Sequence, residues 1–220
     1  MKIKYAVLAV ALAGSLAACT PAESDQARGT GAPAAQATAP AEKFFGPDGY
    51  GKLTIAMTEK DALATGELQD KPVSTVSGKH VYSLPGGPTP DPKRMKADEK
   101  IAAAAEAAEK STDTSAAGSA KSAKAYADET QRITDRLVAY LEAGGAAFID
   151  GKMSSIAAPK DAKTPEGIKR GSTEAELKAA YAGKGLTKDN ELPLAGHPGW
   201  TILFELDKGV VKYMSIGKAS

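Results

Sequence analysis

The first apolar feature of the chain is an uncharged run from Tyr5 to Leu16, preceded by Lys2 and Lys4 and followed by a polar stretch from Thr20. At about twelve residues it is shorter than the roughly twenty that a permanent membrane span takes, and its charged front predicts an export signal. From Thr20 to Glu42 bulky apolar residues nearly vanish among Ala, Pro, Thr, Gly, Gln and Ser. Such a stretch cannot bury enough surface to offset its ordering entropy, so it predicts a disordered tether with an r.m.s. span of about 25 Å. A folded region is expected to begin near residue 43.

Two segments that lie 115 positions apart then share a helix-start device. Thr58 with Asp61, and Thr173 with Glu176, have the spacing of a capping box, in which the hydroxyl accepts from the third helical N–H and the carboxylate reaches back. Each predicted short helix stops near a glycine, Gly66 and Gly183, suited to the left-handed residue after a C-cap. Each copy also leads to a strand pair. Asp150-Gly151 separates Phe148-Ile149 from Lys152–Ile156, and Asp207-Lys208-Gly209 separates Trp200–Leu206 from Val210–Ile216. Asp-Gly is a strong hairpin signal, and the second pair is rich in branched and aromatic residues.

Residues 89–145 interrupt the first copy with a different pattern. Lys96–Lys110 is an Ala, Glu and Lys run of high helix propensity with little apolar periodicity, and it predicts a solvated helix. A break over Ser111–Gly118 precedes a second helix from about Ser122 to Ala143. There Tyr126, Ile133, Leu137, Tyr140 and Leu141 recur at three- and four-residue steps, forming an apolar stripe that calls for a partner. The sheet or the preceding helix is the expected partner, and a helix from another protein is the alternative. The layout is thus α+β: a signal peptide at 1–18, a lipidated tether at 19–42, and two divergent helix-plus-antiparallel-sheet repeats, 43–88 with 146–160 and 163–220, with the long helical insertion in the first.

Leu16-Ala17-Ala18-Cys19 resembles the lipobox of bacterial lipoproteins, and Cys19 is the single cysteine of the chain. The resemblance implies cleavage before Cys19 and a diacylglyceryl thioether on its sulfur, with palmitate-type chains. One acyl chain anchors marginally and two hold stably. Ile168-x-x-Gly171-Ser172-Thr173-x-x-Glu176-Leu177, followed by Gly199-Trp200 and a strand pair, resembles the repeat unit of BamE/SmpA-like envelope lipoproteins and of the β-lactamase inhibitory protein. In those families a hydrophobic-x-x-Gly-Met-Thr turn starts a short helix under a small antiparallel sheet. Here the copies read Ala56-Met57-Thr58 and Gly171-Ser172-Thr173, so neither keeps the triplet. The layout is also similar to that of uncharacterised actinobacterial lipoproteins. The resemblance implies a protein that binds proteins.

Charge adds little, with Lys+Arg 28 against Asp+Glu 27 over the whole chain. No basic stripe speaks for nucleic acid. Aromatics at 5% allow a modest core. With Cys19 consumed there is no thiol for a disulfide or nucleophile, and no G-x-S-x-G, H-E-x-x-H or Walker pattern occurs. His80, on a strand, and His197, in a turn, read as surface residues. Asp48, Asp61 and Asp150 read as turn and cap residues rather than calcium ligands, and Gly86-Gly87 as a rigid turn. No cofactor or metal is expected.

The function these features support is a non-enzymatic protein-binding or assembly module of the cell envelope, held on the extracytoplasmic face of the cell membrane by lipid on Cys19. In a two-membrane cell the lipoprotein resemblance implies the outer membrane, since Thr20 rather than Asp follows the cysteine; in a single-membrane cell it implies the plasma membrane. Trp200 and Tyr213, on the strand pair, are the large side chains expected to anchor a partner on an exposed sheet face, with Phe204 in the core. The alternatives are an envelope hydrolase acting on cell-wall material, which would need His80 or His197 gathered with two carboxylates in a cleft, and a small-ligand carrier. The oligomeric state is left open.

Overall fold

A computed structural model describes residues 43–76 and 79–218. The apolar leader, Cys19 and the tether lie outside the described residues. Three two-residue strands come first, β1 (Phe45–Gly46), β2 (Gly49–Tyr50) and β3 (Leu53–Thr54), paired as a small antiparallel sheet. Then follow α1 (Glu59–Ala64), β4 (Ser74–Val76), β5 (Lys79–Ser83), α2 (Pro92–Glu109), α3 (Ala116–Ala143), β6 (Gly145–Ile149) and β7 (Lys152–Ala157). The last third is α4 (Glu174–Ala180), β8 (Glu191–Pro193), β9 (Trp200–Asp207) and β10 (Val210–Lys218). The fold is α+β, and its main sheet has seven antiparallel strands in the order β4-β5-β6-β7-β10-β9-β8. Among the described residues no helix is long and apolar enough to cross a membrane.

The duplication is written into this sheet. Strands β7 and β10 pair at the centre, with Ile156 opposite Ile216, and β6 and β5 match β9 and β8 on either side. Both helix starts are tied to the far end of their own hairpin by the same bond. Glu59 N donates to Gly151 O at 2.9 Å, and Glu174 N donates to Gly209 O at 2.9 Å. Both hairpins turn through two residues of positive φ, Asp150-Gly151 and Lys208-Gly209, as a right-twisted pair requires of a two-residue loop. Both then carry a bulge three residues on, where Ser154 and Lys212 are skipped in the pairing. Thr58 and Thr173 are 115 positions apart whereas Gly151 and Gly209 are 58 apart, so the first copy holds 57 additional residues between helix and hairpin. They form the α2–α3 hairpin between β5 and β6, where the second copy has only the turn from Leu194 to Gly199 between β8 and β9.

The two caps differ by one methylene. Thr173 closes a full capping box: its hydroxyl accepts from Glu176 N, and its N–H donates to Glu176 Oε2 at 2.7 Å. Thr58 accepts from Asp61 N at 3.2 Å, but the shorter Asp61 carboxylate takes the Thr58 hydroxyl at 2.7 Å rather than the backbone N–H. Only half of the expected box forms in the first copy. Both helices of the insertion begin earlier than their pattern suggests, at Pro92 rather than Lys96 and at Ala116 rather than Ser122. Asp91 caps α2 with Pro92 in its first turn, and Ser115 caps α3, accepting from Gly118 N.

One face of the sheet carries the main core. Phe148, Ile156, Ile202, Phe204, Met214 and Ile216 are buried there against Ala62 of α1, Leu177 of α4 and Tyr181, and against Phe45 and Leu53 of the small sheet. Each such side chain, fully buried, contributes about 1.5–3 kcal/mol. On the opposite face the end of α3 lays Tyr140 and Leu141 against Ala157 and Tyr213. This face is covered only in part, and the part left open forms a groove.

Candidate functional site

The apolar stripe of α3 divides in two. Its C-terminal end docks on the sheet as the periodicity predicts: Leu141 is buried, and the Tyr140 hydroxyl lies 3.1 Å from Ser155 Oγ. The rest does not dock. Tyr126, Ile133 and Leu137 are 46%, 52% and 50% exposed, so the expectation that sheet or α2 covers the whole stripe is corrected for its first three residues. The cause is geometric. A helix of 28 residues is about 42 Å long, and α3 reaches the sheet through its C-terminal turns while α2 lies along its flank.

Between α3 and the sheet this leaves an open groove of ≈ 390 Å³. Its helical wall presents Ile133, Leu137 and Tyr140, and its sheet wall Val81 and Ile149, the latter 45% exposed. Charge in the wall is held in pairs. Arg132 donates to both Glu129 oxygens, at 2.7 and 2.5 Å, and Arg136 forks onto Asp98 of α2 at 2.8 and 3.2 Å. The Arg132 hydrogen bonds outweigh burial and hold the Glu129 carboxyl below its ordinary value. Lys79 also lines the groove, from the sheet side, while the helical wall, with its two arginines engaged, offers chiefly apolar surface. Past Glu129 the groove meets a second hollow of ≈ 590 Å³ between the two helices, lined by Glu99, Glu106, Glu109, Glu129, Tyr126, Thr75 and three alanines of α2.

A separate polar cluster sits on the inner face. Glu59, the first residue of α1, accepts from the Tyr82 hydroxyl at 2.5 Å and lies 2.8 Å from His80 Nδ1. Residues two apart on a strand share a face, so β5 offers both side chains to one carboxylate. Burial on its own would raise the Glu59 pKa, but the hydrogen bonds from Tyr82 and His80 and the imidazole charge prevail and hold it low. Burial, and then the Glu59 carboxylate, push the Tyr82 phenol well above its usual range. A carboxylate that orients an imidazole is half of a hydrolytic arrangement. The rest is missing among the described residues: one carboxylate is gathered where two were required, and no hydroxyl is hydrogen-bonded to His80. His197 lies apart, in the turn before β9.

Because its folded pKa is depressed, Glu59 contributes stability that is present above its ordinary value of 4.5 and is lost as pH falls through the lower folded value. Glu59→Gln is expected to flatten the fall in melting temperature between about pH 5 and pH 3. Equal slopes for variant and wild type would show the cluster to be energetically idle.

The residues expected to anchor a partner are placed otherwise. Tyr213 is 3% exposed, so it is not the surface anchor that its size and place on the strand pair suggest. The bulge at Lys212 turns it onto the face beneath α3. There its hydroxyl donates to Glu142 at 2.5 Å and Arg170 lies 5.1 Å above its ring, and the Glu142 bond with burial pushes its pKa up to about 12. Trp200 is half-buried against the main core, and Phe204 is fully within it, as expected. Cys19 lies outside the described residues. Asp61 serves the α1 cap and Asp150 the hairpin turn. A further cleft of ≈ 870 Å³ runs past Lys43, Tyr50 and the Leu84–Pro88 turn, and the Lys43–Glu67 ion pair at 2.5 Å crosses it. Among the described residues no group of three or more His, Cys, Asp or Glu is placed to hold a metal ion. Comparison with protein-family models, with curated proteins and with solved structures gives no match for this chain.

Proposed function

We propose that this chain is a lipid-anchored envelope protein that acts as a non-enzymatic protein-binding or assembly module, with the groove beside α3 as its contact surface. One observation carries the reading: Tyr126, Ile133 and Leu137 share a helix stripe and are exposed, and Ile149 lines the groove with Ile133 and Leu137. Single exposed apolar residues are ordinary on protein surfaces, but a contiguous apolar strip beside a concavity marks an interaction site. Folding does not require these side chains there, because Tyr140, Leu141 and the Arg136–Asp98 pair already hold the hairpin in place. The lipobox at Cys19 supports placement on the extracytoplasmic face of the membrane, and the resemblance to envelope assembly lipoproteins points the same way.

The test is affinity capture with the full chain, solubilised from its own membrane, beside the double variant Ile133→Asp, Leu137→Asp. Both positions are half exposed, so the variant is expected to melt at the wild-type temperature. An envelope protein enriched by the wild type and lost with the variant supports the reading. Enrichment that ignores the substitutions, or none in repeated captures, removes the groove from consideration.

A further inference from the structure

Resting on that binding reading, we infer that the groove takes an amphipathic helical peptide whose apolar stripe is flanked at one end by lysine or arginine. Three observations select this occupant. The first is the shape of the walls. From Glu129 to Tyr140 the helical wall runs twelve residues, about 16 Å end to end or three helical turns. The opposite wall is the face of β5 and β6, each paired on both sides, together with Ser74 of β4, a three-residue edge strand against which α2 packs. An added strand needs free backbone donors and acceptors along several residues of an edge, which β5 and β6 do not offer and the three residues of β4 offer only briefly. A helix needs only side-chain contact at i, i+3 or i+4, and i+7.

The second observation is charge. At its Glu129 end the groove opens onto the hollow walled by Glu99, Glu106, Glu109 and Glu129, with no lysine or arginine in that lining. Glu106 is paired with Lys110 and Glu129 with Arg132. Glu99 and Glu109 have no ion pair among the described residues, and both side chains are exposed. The apolar strip therefore ends in negative potential, which complements a basic flank on the ligand and fixes its direction. The same potential disfavours an anionic lipid surface, which attracts basic rather than acidic patches.

The third observation is area. The strip is about 16 Å long and about 10 Å wide, one helix across, far below the roughly 800 Å² that each partner buries in a stable dimer. A second copy of the chain is poorly served by it, whereas a short helix seated between two walls is not.

The probes are three fluorescein-labelled synthetic peptides of sixteen residues, read by anisotropy against the detergent-purified full chain. One carries leucine at i, i+4, i+7 and i+11 with three lysines at one end. A second has glutamates for those lysines, and a third scrambles the first. The lysine peptide is expected to bind at least about tenfold more tightly than either control. Ile133→Asp with Leu137→Asp should abolish that binding, and Glu99→Lys with Glu109→Lys should weaken it about tenfold and reduce its salt dependence. Equal binding of the lysine and scrambled peptides, or of the lysine and glutamate peptides, would overturn the inference. So would binding unchanged by either double variant. If capture of an envelope protein depends on Ile133 and Leu137 while no peptide binds, the binding reading stands and this assignment of its partner falls; if capture also fails, both fall together.

Discussion

Replacing Arg170 with alanine is expected to destabilise the protein by about 3 kcal/mol. Arg170 precedes α4, yet its guanidinium reaches across to the end of α3. One terminal nitrogen donates to the Leu141 and Ala158 carbonyls, the latter at 3.2 Å, and to Glu142 O at 3.3 Å. The other meets Glu142 Oε2 at 3.2 Å, while the plane stacks 5.1 Å over Tyr213. The last carbonyls of a helix have no partner within it and carry its negative dipole, so a cation forked onto two of them satisfies both needs at once. Tyr213 and then Arg170 hold Glu142 below the ordinary carboxylate range, against the opposing effect of burial. Truncation would leave these groups facing a void, with the Arg170 side chain itself now only 12% exposed. Lysine should recover little, because an ammonium cannot fork between carbonyls while stacking on a ring. Urea unfolding of wild type, Arg170→Ala and Arg170→Lys measures the loss as a lower midpoint at unchanged slope. A shift worth less than about 1 kcal/mol would mean that α3 is held without this clamp.

That clamp joins the two copies, and it marks the limit of what the chain discloses in one dimension. Caps and hairpins are legible because their determinants lie within a few residues: Thr173 with Glu176, Asp150 with Gly151, and Lys208 with Gly209 declare themselves. Even there the methylene missing from Asp61 decides whether a box closes. The face occupied by Tyr213 is not legible. Strict alternation from Val211 places both on one face, and the bulge at Lys212 reverses the second. Nor does the stripe on α3 reveal where its cover ends, since Tyr140 docks on the sheet whereas Ile133 stands off from it across the groove. The Glu59 cluster pairs residues 21 and 23 positions apart, so no local pattern announces it. The available signal was His80 and Tyr82 standing two apart on one strand, as polar groups facing a core that must supply them a partner. The small first sheet also escaped, because two-residue strands have no periodicity and Phe45 is fixed from a distance by its N–H bond to Lys163 O.

Gly145→Ala is expected to cost on the order of 4 kcal/mol, and the reason lies where the insertion rejoins the sheet. Gly144 ends α3 at φ 73°, and Gly145 opens β6 at φ 151° opposite Ser83. A Cβ on Gly145 would stand 2.1 Å from Tyr82 O, which is backbone and cannot swing aside. An alanine there meets two penalties, a backbone conformation that L-residues avoid and an overlap that must push β5 from β6. Each is worth about 1–3 kcal/mol. Gly66, after the end of α1, separates them: its φ is 72° and nothing lies within 4 Å of its Cβ position. Gly66→Ala should therefore show the conformational penalty alone, about 1 kcal/mol. The comparison also tests how the two parts of the chain are coupled. If the α2–α3 hairpin is a passive insertion, Gly145→Ala will unfold in one step at a lower urea midpoint. If the hairpin folds as its own unit, helix signal will persist after the sheet has melted, because α2 and α3 keep their mutual Asp98–Arg136 pair. The density of ties from α3 to both copies, through Tyr140 to Ser155 and through Glu142 to Tyr213 and Arg170, favours the single step. A Gly145→Ala midpoint equal to that of Gly66→Ala would instead show that β5 and β6 can part at this point without loss, and that the insertion is joined to the sheet more loosely than its contacts imply.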